Sequence, residues 1–370
     1  MKFIHTSDWH LGRSIKGQSL IDDQAYILDE ILRAVDDLHA EAIIIAGDVY
    51  DRGVPPAEAV ELFNEVLIKL VERKLPILCI AGNHDSAKRL NFGSRLFERA
   101  EFFMRSMIRA DDASIVLNDR HGEVYFSLLP YFEPSRVREA FSVEESLSFD
   151  RAGEIFIGSA RAKIPSGKRS VAIAHAFITG GERSDSEQQS VGGADNINAS
   201  HFAGYNYVAL GHLHKPQRMT SDIIRYSGSP LKYSFDEFRH RKGLLSVELG
   251  ADGETSIEFL PLTSKHDLVV FEDTIENILA KPPSTDYIAV RLLDKAQVLN
   301  ARAKLETKFP NVLSLEKIGL MKETTSDSRR FEGTSVLDHF RDFFKYRTGE
   351  EMSAAELAAM TECIKSVGEE

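Results

Sequence analysis

Short apolar runs recur along the first part of the chain, and each stops at a polar residue. Ile43, Ile44, Ile45 and Ala46 run into Gly47 and Asp48, and Leu75 to Ala81 run into Gly82, Asn83, His84 and Asp85. Phe3 and Ile4 lead into Thr6, Ser7, Asp8, Trp9 and His10. Further on, Val171 to Ala174 lead into His175, and Tyr207 to Leu210 lead into Gly211, His212, Leu213 and His214. Continuous apolar runs of this length predict strands covered on both faces, as in parallel sheets. Between the first three, Leu28, Ile31, Leu32, Val35 and Leu38 mark one amphipathic helix, and Val60, Phe63, Leu67 and Leu70 mark another. The alternation predicts βαβ units.

After Pro165 the pattern shifts to strands and turns, with a polar Gly/Ser-rich loop from Gly180 to Gly193 and short strands near 223–227, 243–249 and 256–261. A polar segment from Leu262 to Asp267 ends this region. Residues 268–322 then read as strand, helix, strand, helix, strand, a small α+β unit, and 323–332 have the composition of a linker. Leu337, Phe340 and Phe344 form one apolar stripe; a capping box at Ser353 and Glu356 opens a second helix carrying Leu357, Met360 and Ile364. The expected organisation is a main domain over 1–265, a small α+β domain over 266–322, a linker over 323–332 and a helical pair over 333–370.

The polar residues that end the strands change the picture more than the strands do. Gly47, Asp48 and Gly53 taken alone are ordinary turn chemistry. Five strand ends that all deliver Asp, Asn or His are another matter, because oxygen and imidazole donors suit Mn, Fe or Zn. Side chains at the carboxyl ends of strands in an open α/β sheet can converge on one site although the sequence separates them widely.

With 370 residues, 43% apolar and 28% charged, the chain can bury a sizeable core. No run approaches the roughly 18 apolar residues of a membrane span, and Met1 leads almost at once into a strand, so a cytoplasmic protein with no membrane association is expected. Cys79 in a core strand and Cys363 in a late helix fit that compartment without a structural disulfide. The formal charge of −12 argues against a basic surface that neutralises phosphates. The local basic groups, Lys88 with Arg89 and the run Arg239 to Lys242, read as solvated faces.

The blocks D-x-H, G-D-x-x-D, G-N-H-D, H and G-H-x-H occur here in one order, and together they resemble the calcineurin-like metallophosphoesterases. The flanking stretches SDWHLG, GNHDS, GGERSDSE (180–187), GHLHKPQ (211–217) and YSGSPLKYSFDE (226–237) narrow the resemblance to the SbcD family, the nuclease subunits of bacterial SbcCD DNA-repair complexes. The resemblance implies a two-sheet metallophosphoesterase sandwich flanked by helices, of the α/β class, with a small capping domain and a C-terminal helical pair. It implies two divalent metal ions, Mn(II) foremost. Asp48 would bridge them, with Asp8, His10 and His214 completing one shell and Asn83, His175 and His212 the other. In His-x-His on an extended segment the two rings would face opposite ways, so a turn must reunite them, and Gly211 is placed to permit it.

His84 follows a ligand directly and is expected to act as a catalytic acid, with Asp51 and Asp85 as carboxylates that could orient its ring; a histidine that only bonds a loop backbone is the alternative. The remaining histidines, among them His5, His39, His121 and His339, match no motif, and Trp9 is expected to pack behind the site. The resemblance further implies DNA as substrate, an SbcC ATPase held at its coiled-coil base by the helical pair, and a homodimer within a heterotetramer. Helices near 90–104, with Leu96, Phe97, Phe102 and Phe103, would form the dimer surface. Two other functions remain open at this point. GDVYDRG also matches phosphoprotein phosphatases, and a scaffold could clamp DNA ends with its metals but cut little.

Overall fold

The structure, a computed structural model, describes residues 1–187, 195–318 and 336–367. The chain opens with β1 (Lys2–Thr6), α1 (Ile21–Leu38), β2 (Ala42–Ala46), α2 (Ala57–Glu72), β3 (Ile77–Ile80) and β4 (Phe102–Arg105). These strands are parallel neighbours, with Ile4 opposite Ile43, Ile44 opposite Leu78 and Cys79 opposite Met104. Successive side chains of a strand face opposite ways. Ile43 and Ile45 therefore pack on Ile27, Ile31, Val35, Phe63 and Leu70 of the two helices, while Ile44 and Ala46 face inward. Both faces of β2 are covered, which explains why its run is apolar throughout.

Segment 90–104 departs from expectation. Its helices are single turns, Ala87–Leu90 and Ser94–Phe97, separated by Gly93 at φ +71°, a left-handed conformation that an α-helix cannot pass through. Phe102 and Phe103 belong to β4 rather than to a helix; Phe102 is buried, its ring stacked 5.8 Å from Phe97. Phe92, Leu96 and Phe97 are exposed.

A facing sheet follows. β5 (Ile115–Asp119) and β6 (Gly122–Leu129) form a hairpin; α3 (Pro134–Ala140) and α4 (Phe149–Ala162) lead on to β7 (Arg169–His175), β8 (Tyr207–Gly211), β9 (Gln217–Arg218) and β10 (Ile224–Tyr226). The spatial order is β9-β10-β8-β7-β6-β5. The chain then returns to the first sheet through the hairpin of β11 (Gly243–Leu249) and β12 (Thr255–Pro261), giving the order β12-β11-β1-β2-β3-β4. Phe3, Ile44, Leu78, Phe126, Val171, Tyr207 and Val247 fill the space between the sheets, and α4 covers the outer face of the second with Phe156 and Ile157. The architecture is a helix–sheet–sheet–helix sandwich.

Beyond it, β13 (Leu268–Asp273), α5 (Ile275–Ala280), β14 (Tyr287–Leu292), α6 (Ala301–Glu306) and β15 (Val312–Lys317) alternate, and the three strands run parallel in that order. This small sheet is tied to α1 through Asp23, whose carboxylate accepts from Tyr287 Oη at 2.7 Å and lies 2.8 Å from His266 Nδ1. The predicted linker, 323–332, lies outside the described residues. α7 (Val336–Thr348) and α8 (Ala354–Val367) pack against each other, and the capping box forms: Ser353 N–H donates to Glu356 Oε2 at 2.8 Å and Glu356 N–H to Ser353 Oγ at 3.4 Å. No described helix is long and apolar enough to cross a membrane.

Candidate metal centre

The five strand ends meet at one edge of the sandwich. The loops after β1 and β2 are laced together, Asp8 N–H donating to Gly47 O and His10 N–H to Asp48 O, each at 3.0 Å. Such close approach leaves no room for side chains at the intervening glycines. A Cβ on Gly82 would lie 2.2 Å from Asp48 Oδ1, and one on Gly211 would lie 1.9 Å from Ala46 O. Gly211 thus supplies space rather than the turn expected of it. The turn falls on His212 itself, at φ +110°, and Asp8, His10 and Asp48 are also left-handed, at +54°, +45° and +48°. Such conformations cost about 1–3 kcal/mol each and persist where the surroundings over-determine them, typically at functional sites.

All seven predicted ligands are brought together. Ligand atoms of Asp8, His10 and His214 lie within 4.8 Å of one another, as do those of Asp8, Asp48 and His175 and those of His10, Asp48 and His84. Asp48 Oδ2 stands between two imidazoles, 3.4 Å from His175 Nε2 and 3.6 Å from His10 Nε2. Asn83 Oδ1 is 2.9 Å from both His175 Nε2 and His212 Nδ1. His10 Nε2 and His214 Nε2 face each other at 3.0 Å. Two ring nitrogens at that distance call for a proton or a cation between them, and with the nearby carboxylates and amide oxygen they form a donor set that fits divalent metals. His212 N–H donates to Asp8 Oδ1 at 3.0 Å and Ser7 Oγ–H to Asp8 Oδ2 at 2.6 Å, which orients that carboxylate.

Burial dominates the electrostatics. It pushes the His212 imidazole down to about 3 and His214 down to about 4, leaving both neutral with lone pairs to offer. It pushes Asp8 up to about 8. Burial would raise Asp48 too, but His175, His10 and His84 hold its carboxyl well below the usual range. Burial would likewise lower His175, yet Asp48 overrides it and lifts the imidazole to about 9. The central carboxylate is therefore charged.

His84 lies at the rim, half-buried, its ring 4.7 Å from that of His10. Neither predicted carboxylate orients it. Its Nδ1–H donates to the main-chain oxygen of Asp51 at 2.8 Å, and its own N–H donates to Asp48 Oδ1 at 2.9 Å. The Asp51 carboxylate turns to Arg13 Nη1 at 2.8 Å and His10 Nδ1 at 3.5 Å. The Asp85 carboxylate accepts from the N–H groups of Gly82, Val49 and Tyr50 at 2.9, 3.1 and 2.9 Å. Peptide donors fixed by the turn outcompete a mobile imidazole for Asp85, which pins the two loops together. Trp9 is buried behind the site, donating from Nε1 to Thr6 Oγ1 at 3.0 Å.

Four residues absent from the predicted set reach His214: Ser186, Glu187, Glu237 and Lys242. Lys242 is buried rather than part of a solvated basic face, unlike its exposed neighbour Arg241. Three of the four stand in the stretches SDSE and SFDE, whose polar residues carry no ligand spacing and so mark no site by pattern. The half of the predicted loop beyond Glu187, up to Gly193, lies outside the described residues.

Residues 1–216 match the family described as calcineurin-like phosphoesterase, and residues 264–348 match one described as type 5 capsule protein repressor C-terminal domain. The SbcD component of the SbcCD nuclease of Staphylococcus epidermidis is 33% identical over 324 residues, 86% of each chain. Its counterpart in Staphylococcus saprophyticus is 30% identical over 378 residues, covering 100% of this chain and 99% of its own. A solved dimetal phosphatase from Danio rerio, with a TM-score of 0.40 and 11% identity over 71% of this chain and 98% of its own, is too distant to bear on function. With its phosphoesterase sandwich, its metal-donor cluster at the strand ends and a likeness that runs the length of the relatives, the chain belongs to the calcineurin-like phosphoesterases and, within them, to the SbcD family of SbcCD nuclease components, metal-dependent phosphodiester hydrolases.

Proposed function

We propose that the chain is the nuclease component of an SbcCD complex, cutting duplex DNA ends exonucleolytically and hairpins or single strands endonucleolytically with two divalent ions, Mn(II) foremost. The observation that carries this reading is the charged Asp48 carboxylate, one oxygen of which stands between His175 and His10. Asp48 would be shared by the two ions, Asp8, His10 and His214 would hold one, and Asn83, His175 and His212 would hold the other. Two such ions supply a nucleophile at neutral pH and relieve charge on the phosphoryl oxygens. His84 does the proton work. Because its Nδ1–H is committed to the Asp51 carbonyl, the doubly protonated ring would give its Nε2 proton to the leaving alkoxide and end as the neutral Nδ1–H imidazole. GDVYDRG leaves a phosphoprotein phosphatase as the competing reading, but the small parallel sheet and the helical pair have no place in it. The test is the full chain with Mn(II), given end-labelled duplex, hairpin DNA and a phosphopeptide in parallel. Cleavage of the DNAs alone is expected, and turnover of the phosphopeptide alone would overturn the reading.

Two associations go with this reading. The apolar side chains of the helical pair, Leu337, Phe340, Phe344, Leu357, Met360 and Ile364, form the stripes read from the sequence; Phe340, Leu357, Met360 and Ile364 are only half-buried, and Phe343 is exposed. A pair this small needs a partner to bury enough area, and SbcC is the one that the relatives' name supplies. A chain ending at Glu332 is expected to keep Mn-dependent cleavage of small substrates and to lose co-purification with SbcC; normal complex formation would refute this. Phe92, Leu96 and Phe97 offer a surface for a homodimer within a heterotetramer. Leu96→Glu with Phe92→Glu is expected to yield a folded monomer by light scattering, and an intact dimer would remove this surface.

A further inference from the structure

His214 is gripped at its backbone and its ring by side chains from two remote segments. Glu187 Oε1 accepts its N–H at 2.6 Å, and the other oxygen of that carboxylate accepts Ser184 N–H at 2.9 Å, so the same residue closes the turn of its own loop. Ser186 Oγ lies 2.7 Å from His214 Nδ1 and donates to Glu237 Oε1, which itself stands 3.3 Å from Nδ1. Lys242 Nζ donates to His214 O at 2.8 Å, Ser229 Oγ at 2.9 Å and Glu237 Oε2 at 2.5 Å. None of this is surface chemistry. Glu237 is 0% exposed, Glu187 6%, Lys242 7% and Ser186 8%.

The direction of the hydrogen bonds gives the network a task. The single proton of the Ser186 hydroxyl goes to the Glu237 carboxylate, so its oxygen is left to accept, and His214 Nδ1 must carry the hydrogen. Nε2 is then the lone-pair atom, and it is the one that faces His10. A carboxylate that holds a metal-ligating imidazole in tautomer and orientation raises its value as a ligand. A buried charge pair is by contrast a poor way to gain stability, since well-packed apolar residues of the same volume usually serve as well or better. Every charge in this network reaches one residue, Glu187 and Lys242 at the backbone of His214 and Glu237 at its ring.

The other half of the cluster is built differently. His175 Nδ1 rests on a main-chain oxygen, Ala46 O, at 2.9 Å. No side-chain substitution can remove that support, whereas the ring nitrogen Nδ1 of His214 rests on the side chains of Ser186 and Glu237, which substitution can remove. We propose that Ser186, Glu187, Glu237 and Lys242 form a clasp on His214 that sets the affinity of one of the two cation positions, so that the 180–187 loop acts in metal retention. The proposal rests on the two-ion reading above. Its members are positioning residues that act through His214.

The experiment titrates the metal-free full chain with Mn(II), following bound ion by calorimetry and electron paramagnetic resonance. The unaltered protein is expected to bind two ions. Ser186→Ala deletes one hydroxyl and leaves the Glu237–Lys242 pair in place, so it keeps the fold. It should bind one ion with unchanged affinity and the second about 10–100-fold more weakly. Cleavage by this variant should need more Mn(II) to saturate and reach an unchanged kcat, and Ser186→Thr, which restores a hydroxyl, should recover the second affinity. Ser186→Ala that holds both ions as the parent does, or that loses affinity equally for both, overturns the clasp and leaves the two-ion reading standing. A parent chain that binds no Mn(II) overturns both. Glu237→Ala should weaken the same single ion at least as much, and retention of both ions by a folded Glu237→Ala protein also overturns the clasp.

Discussion

His175 and His214 are both fully buried imidazoles at the ends of adjacent strand runs, yet the first rests its Nδ1 on a peptide oxygen while the second is gripped at ring and backbone by four side chains. His175 belongs to β7, where the parallel pairing of β7 with β8 already fixes its backbone. His214 lies beyond the last pairing of β8, past a residue at φ +110°, where no ladder holds it. The lesson is one of compensation. Where regular structure stops before the chemistry begins, polar side chains from elsewhere must supply the rigidity, and the cost is a set of buried charges.

Asp48 is where the two halves join, so its loss should have the largest effect and erase the difference between them. Asp48→Ala removes the carboxylate oxygen that stands 3.4 Å from His175 Nε2 and 3.6 Å from His10 Nε2, together with the acceptor of the His84 N–H. Elemental analysis should find at most one bound ion, and the rate should fall by at least about 10⁴-fold, the scale on which disabling a catalytic unit acts. Two tightly held ions in this variant would show that Asp48 does not bridge.

The next effect in size separates chemistry from metal retention. His84 touches the cluster, its N–H on Asp48 Oδ1 and its ring 4.7 Å from that of His10, while its Nδ1 is tied to the Asp51 carbonyl. His84→Gln should lower the rate about 10²–10⁴-fold while both ions stay bound. Loss of an ion along with the rate would place His84 among the ligands instead.

The same contrast explains what could be read from the chain alone. Asp8, His10, Asp48, Asn83, His175, His212 and His214 stand directly after apolar runs, and a parallel sheet forces such positions to converge, so pattern and topology agree at every one of them. The clasp residues have no such address. Ser186 and Glu187 sit in a polar loop, Glu237 in a short turn of 3-10 helix and Lys242 in a basic run, and only tertiary folding brings them to His214. The carboxylates of Asp51 and Asp85 were open to misreading for a related reason: spacing places a residue near a neighbour but does not say which way its side chain turns. In the fold, β4 was hidden because Phe102 and Phe103 follow single helical turns. The β5–β6 hairpin lacks a clean apolar run, since Val116 is exposed and Asn118 polar.

The smallest effect concerns an imidazole buried as deeply as those of the cluster but assigned no ligand. His5 bridges the two sheets, its Nδ1 2.8 Å from Tyr207 Oη and its Nε2 3.1 Å from Leu210 O. Burial pushes it down from 6.5 to about 3, only partly opposed by the Leu210 carbonyl. The unfolded chain therefore takes up a proton that the folded one refuses. The stability His5 provides is complete above about pH 6.5 and drains away as the pH falls toward about 3, at no more than about 1.4 kcal/mol per pH unit for one group. His212 and His214 are depressed in the same direction by burial and steepen the acid limb further when no ion is bound. His5→Gln keeps a hydrogen-bonding side chain but cannot titrate. In chelator, its melting temperature should start lower than the parent's at pH 7 and then fall less steeply between about pH 6.5 and 4.5. A variant whose melting temperature tracks the parent's slope throughout that window would show that His5 takes no part in acid unfolding, and the sensitivity would then belong to the cluster.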